Sequence, residues 1–251
     1  MKYLEITRFP PLEYASNEAM NTLCTNLSYC GTDVRTVMTT SRYAVEGKSY
    51  VSMNLMRSLA SLGRRVVLVD TDLRCSGIQK QFRLRYPEAK NEGLSDYLAG
   101  LCDMPDILYA TNLTGAYLIP SGHEVANSLP LLNSPRMAAL MASMAERFDM
   151  VLVDTPPAGI LVDAMEIAKY CDGALIVVSY NRGKRRDIRE VKQIIEKTGC
   201  RVLGAVLNGV EFRTYANRKY FFNSERYESY YSKGYAARYG RKKHRESVQK
   251  P

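Results

Sequence analysis

Gly47, Lys48 and Ser49 are the adjacent residues of this chain whose types have the clearest chemical use. They follow a run rich in β-branched residues and precede a segment with helical spacing, so they are expected where a strand ends and a helix begins. At such a junction backbone N–H groups can bind an anion, a lysine can bind the outer phosphates of a nucleotide, and a serine hydroxyl can bind Mg²⁺. The pattern therefore predicts a P-loop for ATP and Mg²⁺. The predicted nucleotide-binding residues are Arg42, Tyr43, Ala44, Val45, Glu46, Gly47, Lys48, Ser49 and Tyr50.

Two positions of this loop depart from the usual pattern. Arg42 stands where the first loop glycine is expected, and Val45 stands where a second glycine is common. A β-branched residue resists a positive φ angle, so Val45 predicts an altered loop geometry. Taken alone, the three residues Gly-Lys-Ser also fit an ordinary helix start with a solvated lysine.

Carboxylates follow two hydrophobic runs further along the chain. Asp70, Asp72 and Arg74 come directly after the first run, and Asp154 ends the second, just before Pro156-Pro157. Ligands bind at the carboxyl ends of strands in α/β sheets, so these side chains are expected to meet the P-loop. One of the first two aspartates could accept a proton from a hydroxyl while the other helps Asp154 to hold Mg²⁺. Turn formation and strand-end capping are the alternatives for each aspartate alone.

Alternating strand-like and helix-like segments position these residues. The pattern predicts an α/β fold with a doubly wound, mostly parallel sheet of the P-loop NTPase type. The predicted strands are Val34 to Thr39, Arg65 to Asp70, Ala116 to Pro120, Met150 to Asp154, Ala174 to Ser179 and Val202 to Asn208. The predicted crossover helices are Lys48 to Leu62, Ser134 to Arg147 and Asp187 to Thr198.

Three further segments complete the predicted organisation. Residues 1–33 are expected to form an N-terminal helical extension, with a helix from Ser16 to Ser28 outside the sheet. Within the P-loop domain, residues 34–211, the segment Gln79 to Thr114 is expected to lie beyond the sheet edge. Residues 212–251 lack clear periodicity and are predicted to be a flexible, basic, tyrosine-rich tail.

The net charge of +9 is concentrated in that tail. It carries eleven Lys or Arg against three Glu, a net +8, which leaves +1 for the rest of the chain. No apolar stretch approaches about 18 residues and the N-terminus lacks a signal-peptide pattern, so the chain is expected to be cytoplasmic. The six cysteines are scattered without metal-ligand spacing, which argues against a zinc site or a disulfide framework.

The three motifs together resemble the bacterial tyrosine kinases (BY-kinases) of capsular and exopolysaccharide synthesis, which are relatives of the ParA and MinD ATPases. The most discriminating motif is the hydrophobic run followed by Asp70-x-Asp72-x-Arg74. The hydrophobic run with Asp154-x-x-Pro157 matches a further family motif, and the resemblance extends over most of residues 16–210.

The resemblance implies a role for each matching residue. Asp70 would be the base for a tyrosine hydroxyl, Lys48 would bind the phosphates, and Arg74 belongs to the same catalytic motif. Ser49, Asp72 and Asp154 would surround Mg²⁺. Asn208 ends the last predicted strand and could contact the adenine, with strand-end capping as an equal alternative.

The oligomerisation motif of the family departs from its usual form. Glu-x-x-Arg-x-x-Arg reads Glu18, Asn21 and Cys24 here, so a homo-oligomer would need another interface. Two other functions remain open. Tyr43 at the position of the signature lysine argues against a ParA/MinD-like switch ATPase, whereas Val45, Asn21 and Cys24 favour a catalytically weak adaptor.

Tyrosines are dense in the tail. Their flanking residues are mostly polar, and the resemblance implies that they are autophosphorylated. The predicted phosphoacceptors are Tyr215, Tyr220, Tyr227, Tyr230, Tyr231, Tyr235 and Tyr239. The resemblance also implies a membrane-anchored activator that recruits the chain to the inner face of the membrane. Nucleic acid binding by the basic tail is the disfavoured alternative.

Overall fold

The computed structural model describes residues 2–87, 91–180 and 182–210, which form a nine-stranded sheet with helices on both faces. In chain order the elements are β1 (Lys2–Ile6), α1 (Tyr14–Ser28), β2 (Thr36–Ser41), α2 (Lys48–Ser61), β3 (Val66–Asp70), α3 (Ile78–Phe82), β4 (Leu84–Arg85), α4 (Leu94–Leu98), α5 (Met104–Ile107), β5 (Tyr109–Thr111), β6 (Ala116–Ile119), α6 (Leu129–Leu132), α7 (Pro135–Arg147), β7 (Met150–Asp154), α8 (Asp163–Ala168), β8 (Gly173–Ser179), α9 (Arg185–Glu196) and β9 (Arg201–Asn208).

The strand order is β4-β1-β5-β6-β3-β7-β2-β8-β9. The pairs β1–β4 and β5–β6 are antiparallel, and the other six pairs are parallel. The predicted doubly wound, mostly parallel α/β fold is therefore confirmed. The tips of β2, β3 and β7 lie side by side at the centre of the sheet, where the predicted site residues follow them.

The central strands are covered on both faces, which explains their nearly continuous hydrophobic sequence. In β3, Val67 and Val69 pack in one buried cluster with residues of α7, whereas Val66 and Leu68 pack in another with residues of α2. Alternate side chains of a strand point to opposite faces, so each face has its own core. The sheet that holds the site is consequently buried on both sides.

The predicted strands and crossover helices are all present, with ends that differ by at most two residues. α7 shows why such ends can be predicted. The Ser134 hydroxyl caps the helix by accepting from the backbone N–H of Met137, and Pro135 occupies the first helical position.

The predicted N-terminal helix is present as α1, but the first 33 residues also contain Lys2–Ile6, which forms β1 between β4 and β5. The prediction for one further segment is wrong. The segment from Gln79 to Thr114 does not lie beyond the sheet, because it supplies β4 and β5 to the sheet edge. Both strands are too short to show a clear alternating pattern.

The predicted tail, residues 212–251, and its seven tyrosines lie outside the described residues. Within residues 2–87, 91–180 and 182–210, every helix is too short or too polar to cross a membrane.

Candidate active site

The phosphate loop, residues 41–49, joins β2 to α2. Gly47 has a φ of +88°, and a Cβ at this position would lie 1.9 Å from the Nδ2 atom of Asn208. Only glycine fits such a conformation and such a close approach. Lys48 and Ser49 then begin α2, and Lys48 is 8% exposed. The structure therefore places both residues at a helix start, as the sequence predicts.

Glu46 holds the phosphate loop through its side chain. Its buried carboxylate accepts the backbone N–H groups of Tyr43 at 2.9 Å and Ser179 at 3.3 Å. Asn208 donates its side-chain N–H to the Glu46 carbonyl at 3.0 Å. These bonds connect the loop to β8 and β9, so neighbouring strands fix a backbone in which the usual glycines are missing.

Of the remaining predicted nucleotide-binding residues, Arg42 binds neighbouring segments and the others are exposed or half-buried. Arg42 donates to the Gly159 carbonyl at 2.6 Å and forms an ion pair with Glu190 at 3.1 Å. Val45 has a φ of +63° and is 86% exposed, so the loop accepts the strain that its sequence predicted. Ala44 and Tyr43 are exposed, and Tyr50 is half-buried in the first turn of α2.

Asp154 lies at the tip of β7 and binds the start of α2. Its carboxylate accepts from the Ser49 hydroxyl at 2.5 Å and from the Ser52 hydroxyl at 2.8 Å. Burial raises the pKa of Asp154, although these hydroxyls and the charge of Lys48 act in the opposite direction. The serine predicted to bind Mg²⁺ and the carboxylate predicted beside it are thus in direct contact.

Asp70 lies at the tip of β3, directly opposite Asp154 in the parallel pairing of β3 with β7. It is 1% exposed, and it accepts a short hydrogen bond from the Ser76 hydroxyl. Burial and the neighbouring Asp154 carboxylate raise the pKa of Asp70 well above its usual value. A carboxylate in this position is a stronger proton acceptor than an exposed one when it is ionised.

The carboxylate loop, residues 70–76, continues with Asp72 and Arg74. Asp72 is half-buried and accepts the backbone N–H of Cys75 at 3.1 Å. Arg74 binds Asp163 through two nitrogens, at 2.7 and 3.2 Å, and the Ala126 carbonyl through a third at 2.9 Å. The structure thus gives Arg74 protein partners, and its predicted catalytic role stays a prediction.

The chemistry of these side chains fits Mg²⁺ and a nucleotide phosphate. Mg²⁺ prefers oxygen ligands and is usually bound by one or two carboxylates together with substrate phosphates. Ser49 and Asp154 supply such oxygens beside the buried Lys48 cation, and Asp72 lies on the adjacent loop. In the described part of the chain, no cluster of three or more acidic, His or Cys side chains forms a metal site without phosphates.

Comparison with known proteins gives the family. A family described as an AAA domain matches residues 44–199. The tyrosine-protein kinase CpsD of Streptococcus pneumoniae serotype 4 is 33% identical over 196 residues, which cover 78% of this chain and 85% of CpsD. The chain belongs to the bacterial tyrosine kinases.

Solved structures agree with this membership. The kinase domain of Escherichia coli tyrosine kinase ETK has a TM-score of 0.73 and 29% identity, and the match covers 79% of this chain and 77% of that one. The septum site-determining protein MinD of Pyrococcus horikoshii, solved with Mg-ADP, has a TM-score of 0.59 and 25% identity, with 69% of each chain covered. This bacterial tyrosine kinase therefore shares the fold of a nucleotide-binding ATPase.

Several residues of the candidate site were not predicted from the sequence. Ser52 follows Ser49 by three residues on α2, a helical spacing that could have placed both hydroxyls on Asp154. Ser76 carried no comparable signal, because its partner Asp70 lies six residues away across a turn. The Asp163-Ala164 pair belongs to the family resemblance, but the sequence did not indicate that Asp163 binds Arg74. The side-chain role of Glu46 was also missed.

Proposed function

We propose that this bacterial tyrosine kinase uses ATP and Mg²⁺ to phosphorylate tyrosines of its own C-terminal segment, and thereby regulates capsular or exopolysaccharide synthesis or export. The main support is the convergence of three strand tips. The Ser49 hydroxyl contacts Asp154, and Asp154 is the cross-strand neighbour of Asp70. The names of the relatives and the Mg-ADP bound to MinD support the reaction and the cofactors.

In this proposal the start of α2 binds the phosphates. Lys48 is buried beside Asp154, so its charge is available near the phosphates in a region of reduced solvent screening. Ser49, Asp72 and Asp154 would hold Mg²⁺, which offsets phosphate charge and orients the transferred group when it is bound. Asn208 would contact the adenine from the end of β9.

Asp70 would accept the proton of the tyrosine hydroxyl while the tyrosine oxygen forms its bond to the transferred phosphoryl group. The bond to the leaving ADP oxygen breaks in the same step, so the phosphoryl group moves from ATP to tyrosine. The buried position of Asp70 supports this role because it limits competition by water for the carboxylate.

The tail gives the proposal a regulatory consequence. Each phosphate adds about −1.5 to −2 charge at neutral pH, so phosphorylation of most of the seven tyrosines would reverse the net +8 of the tail. Such a reversal would release an acidic partner or an anionic membrane surface. We also propose that a membrane-anchored activator recruits the chain to the inner face of the membrane. If the chain forms a homo-oligomer, its interface does not use the arginines of the family motif, because Asn21 and Cys24 replace them.

A switch ATPase is the second candidate, and the likeness to MinD supports it. In such a protein hydrolysis would change the association of two copies without any transfer to tyrosine. An adaptor that neither binds ATP nor transfers phosphate is the third candidate.

The experiment incubates purified protein with ATP and Mg²⁺ and maps phosphotyrosine by mass spectrometry. We expect phosphate on the tail tyrosines of the wild type and none in Lys48→Met. Lys169→Met is a matched control, since this lysine pairs with Glu166 on the surface. ATP binding without phosphotyrosine, with the activator present, would favour the switch, and the absence of both would favour the adaptor.

A further inference from the structure

All three guanidinium nitrogens of Arg74 form hydrogen bonds with two neighbouring segments. Its Nε and one terminal nitrogen bind the two carboxylate oxygens of Asp163, and the other terminal nitrogen binds the Ala126 carbonyl. A two-bond pairing between arginine and carboxylate fixes the relative orientation of both groups as well as their distance. Arg74 therefore acts as a rigid connection.

Asp163 is the buried centre of this connection. It is 1% exposed and also accepts from the buried Ser128 hydroxyl at 2.5 Å. Although burial alone would raise it, the bonds from Arg74 and Ser128 hold the pKa of Asp163 below its usual value. We call Arg74, Asp163 and Ser128 the arginine clamp.

The arginine clamp joins three parts of the chain. Arg74 belongs to the carboxylate loop, Ser128 precedes α6, and Asp163 begins α8. In addition, the backbone N–H of Val125 donates to the Leu73 carbonyl at 2.8 Å. The carboxylate loop is thereby held from outside at two consecutive residues.

Hydrogen bonds inside the carboxylate loop connect Arg74 and its neighbours to the side chains of Asp70 and Asp72. The backbone N–H of Asp72 donates to the Asp70 carboxylate at 3.2 Å, and the Asp72 carboxylate accepts from Cys75 at 3.1 Å. A displacement of Arg74 would move the residues on both sides of it. The orientation of Asp72 consequently depends on the position of Arg74.

We propose that Asp163 is a positioning residue of the kinase: through Arg74 it fixes the carboxylate loop so that Asp72 faces Mg²⁺ and Asp70 faces the tyrosine hydroxyl. This inference rests on the proposed function, because it assigns Asp163 to the same reaction. It also changes the role expected for Arg74. Its N–H groups fix the position of the carboxylate loop instead of contacting the substrate.

A purely structural role for the ion pair is the alternative. A buried ion pair often adds little net stability, because the cost of removing both charges from water offsets their attraction. A contribution to stability therefore explains the presence of a buried Asp163 poorly. Residues that orient the ligands of a metal, by contrast, typically change metal affinity or activity by about 10- to 100-fold when they are replaced.

The test uses the full chain with three substitutions, Asp163→Asn, Arg74→Lys and Ser128→Ala. Asparagine keeps the volume of Asp163 but removes its charge, lysine keeps the charge of Arg74 but loses the paired geometry, and Ser128→Ala removes one bond. Asp149→Asn is the matched control, because Asp149 accepts the backbone N–H of Arg65 at the opposite ends of the strands.

Two measurements do not depend on transfer to tyrosine. Hydrogen exchange of residues 71–76 in the ligand-free protein reports the order of the carboxylate loop, and titration of Mg²⁺ in the presence of a fluorescent ATP analogue reports metal binding. For Asp163→Asn we expect about tenfold faster exchange and a tenfold higher Mg²⁺ requirement. The kcat should fall by about 10- to 100-fold, with little change in the KM for ATP.

The expected order of effects is Asp163→Asn first, then Arg74→Lys, then Ser128→Ala, with Asp149→Asn unchanged. Unchanged loop exchange and Mg²⁺ requirement in a folded Asp163→Asn protein would overturn the inference. If Asp163→Asn does not fold, Ser128→Ala decides the question by the same two measurements. A wild type that never modifies tyrosine would instead contradict the proposed function.

Discussion

The phosphate loop and the carboxylate loop are held in position in different ways. The phosphate loop lacks two of the glycines expected in it. It is fixed by Glu46 binding β8, by Arg42 binding the segment after β7, and by Asn208 of β9 binding the Glu46 carbonyl. The carboxylate loop keeps its motif, and it is fixed by Arg74 binding Asp163. In both loops the functional side chains depend on partners that are distant in sequence.

The two loops differ in where unfavourable energy is stored. In the phosphate loop it lies in the backbone, at the positive φ of Val45. In the carboxylate loop the unfavourable energy comes from the burial of two neighbouring carboxyl groups, those of Asp70 and Asp154. Backbone strain and buried charge respond to different substitutions, so the two loops can be tested separately.

The largest effect is expected for Asp70→Asn in the carboxylate loop. Loss of the proton acceptor should lower the rate of phosphorylation by about 100-fold or more, as measured from the initial rate of phosphotyrosine formation. Without nucleotide and Mg²⁺, the same change should raise the melting temperature at pH 7 by about 2–4 °C, because it removes a carboxyl group whose pKa is raised by burial and by the neighbouring Asp154 carboxylate.

The rise in melting temperature expected for Asp70→Asn should depend on pH. Since the folded pKa of Asp70 is raised, the wild type loses stability as the pH rises from about 4 through the folded pKa. The difference between Asp70→Asn and the wild type should therefore shrink near pH 4. Asp149→Asn serves as the exposed control. A gain of equal size at both pH values would contradict the buried-charge explanation.

The second largest effect is expected for Gly47→Ala in the phosphate loop. The new Cβ would overlap the Asn208 side chain and impose about 1–2 kcal/mol of strain at a positive φ. The affinity for a fluorescent ATP analogue should fall by about tenfold or more. Gly63→Ala is the control, because Gly63 also has a positive φ but open space around it. Equal ATP affinity in both variants would show that the close approach is unimportant.

A smaller effect is expected for Glu46→Gln. The amide keeps one acceptor oxygen, so one of the two bonds from Tyr43 and Ser179 is lost while the other weakens. The KM for ATP should rise by about fivefold, consistent with about 1 kcal/mol for one hydrogen bond. Glu166→Gln is the matched control, because Glu166 is half-buried and pairs with the exposed Lys169. An unchanged KM would mean that the neighbouring strands do not fix the loop.

The smallest effect is expected for Val45→Gly. Relief of the positive φ should exceed the entropy cost of glycine and raise the free energy of unfolding by roughly 0.5 kcal/mol. Denaturant titration would measure this gain. Val45→Ala should give no gain, because alanine also resists a positive φ, so a gain in both variants would point to side-chain exposure instead.

The sequence predicts the centre of this molecule better than its edge. The tips of β3 and β7 were predictable, because nearly continuous hydrophobic runs ending in Asp70 and Asp154 define both the strand and the carboxylate that follows. β1 and β5 were missed, because five and three residues show too little alternation and gain their stability from sheet neighbours.

The site shows the same limit. Lys48 and Ser49 were predictable, because the motif states their spacing along the chain. The contacts of Asp163 with Arg74 and of Glu46 with Ser179 bridge residues that are 89 and 133 positions apart. Such pairs form only after the sheet has assembled, so local patterns carry no sign of them. Residue type predicted which groups could react, and the fold determines which groups hold them in place.

Asn208 makes the end of β9 part of the phosphate loop's support. Its side chain bonds to Glu46, and its carbonyl accepts the backbone N–H of Tyr180 at 2.7 Å. A chain that stops at Gly209 retains both connections, whereas one that stops at Leu207 lacks both. A difference of two residues in chain length at this point thus decides whether β9 supports the phosphate loop.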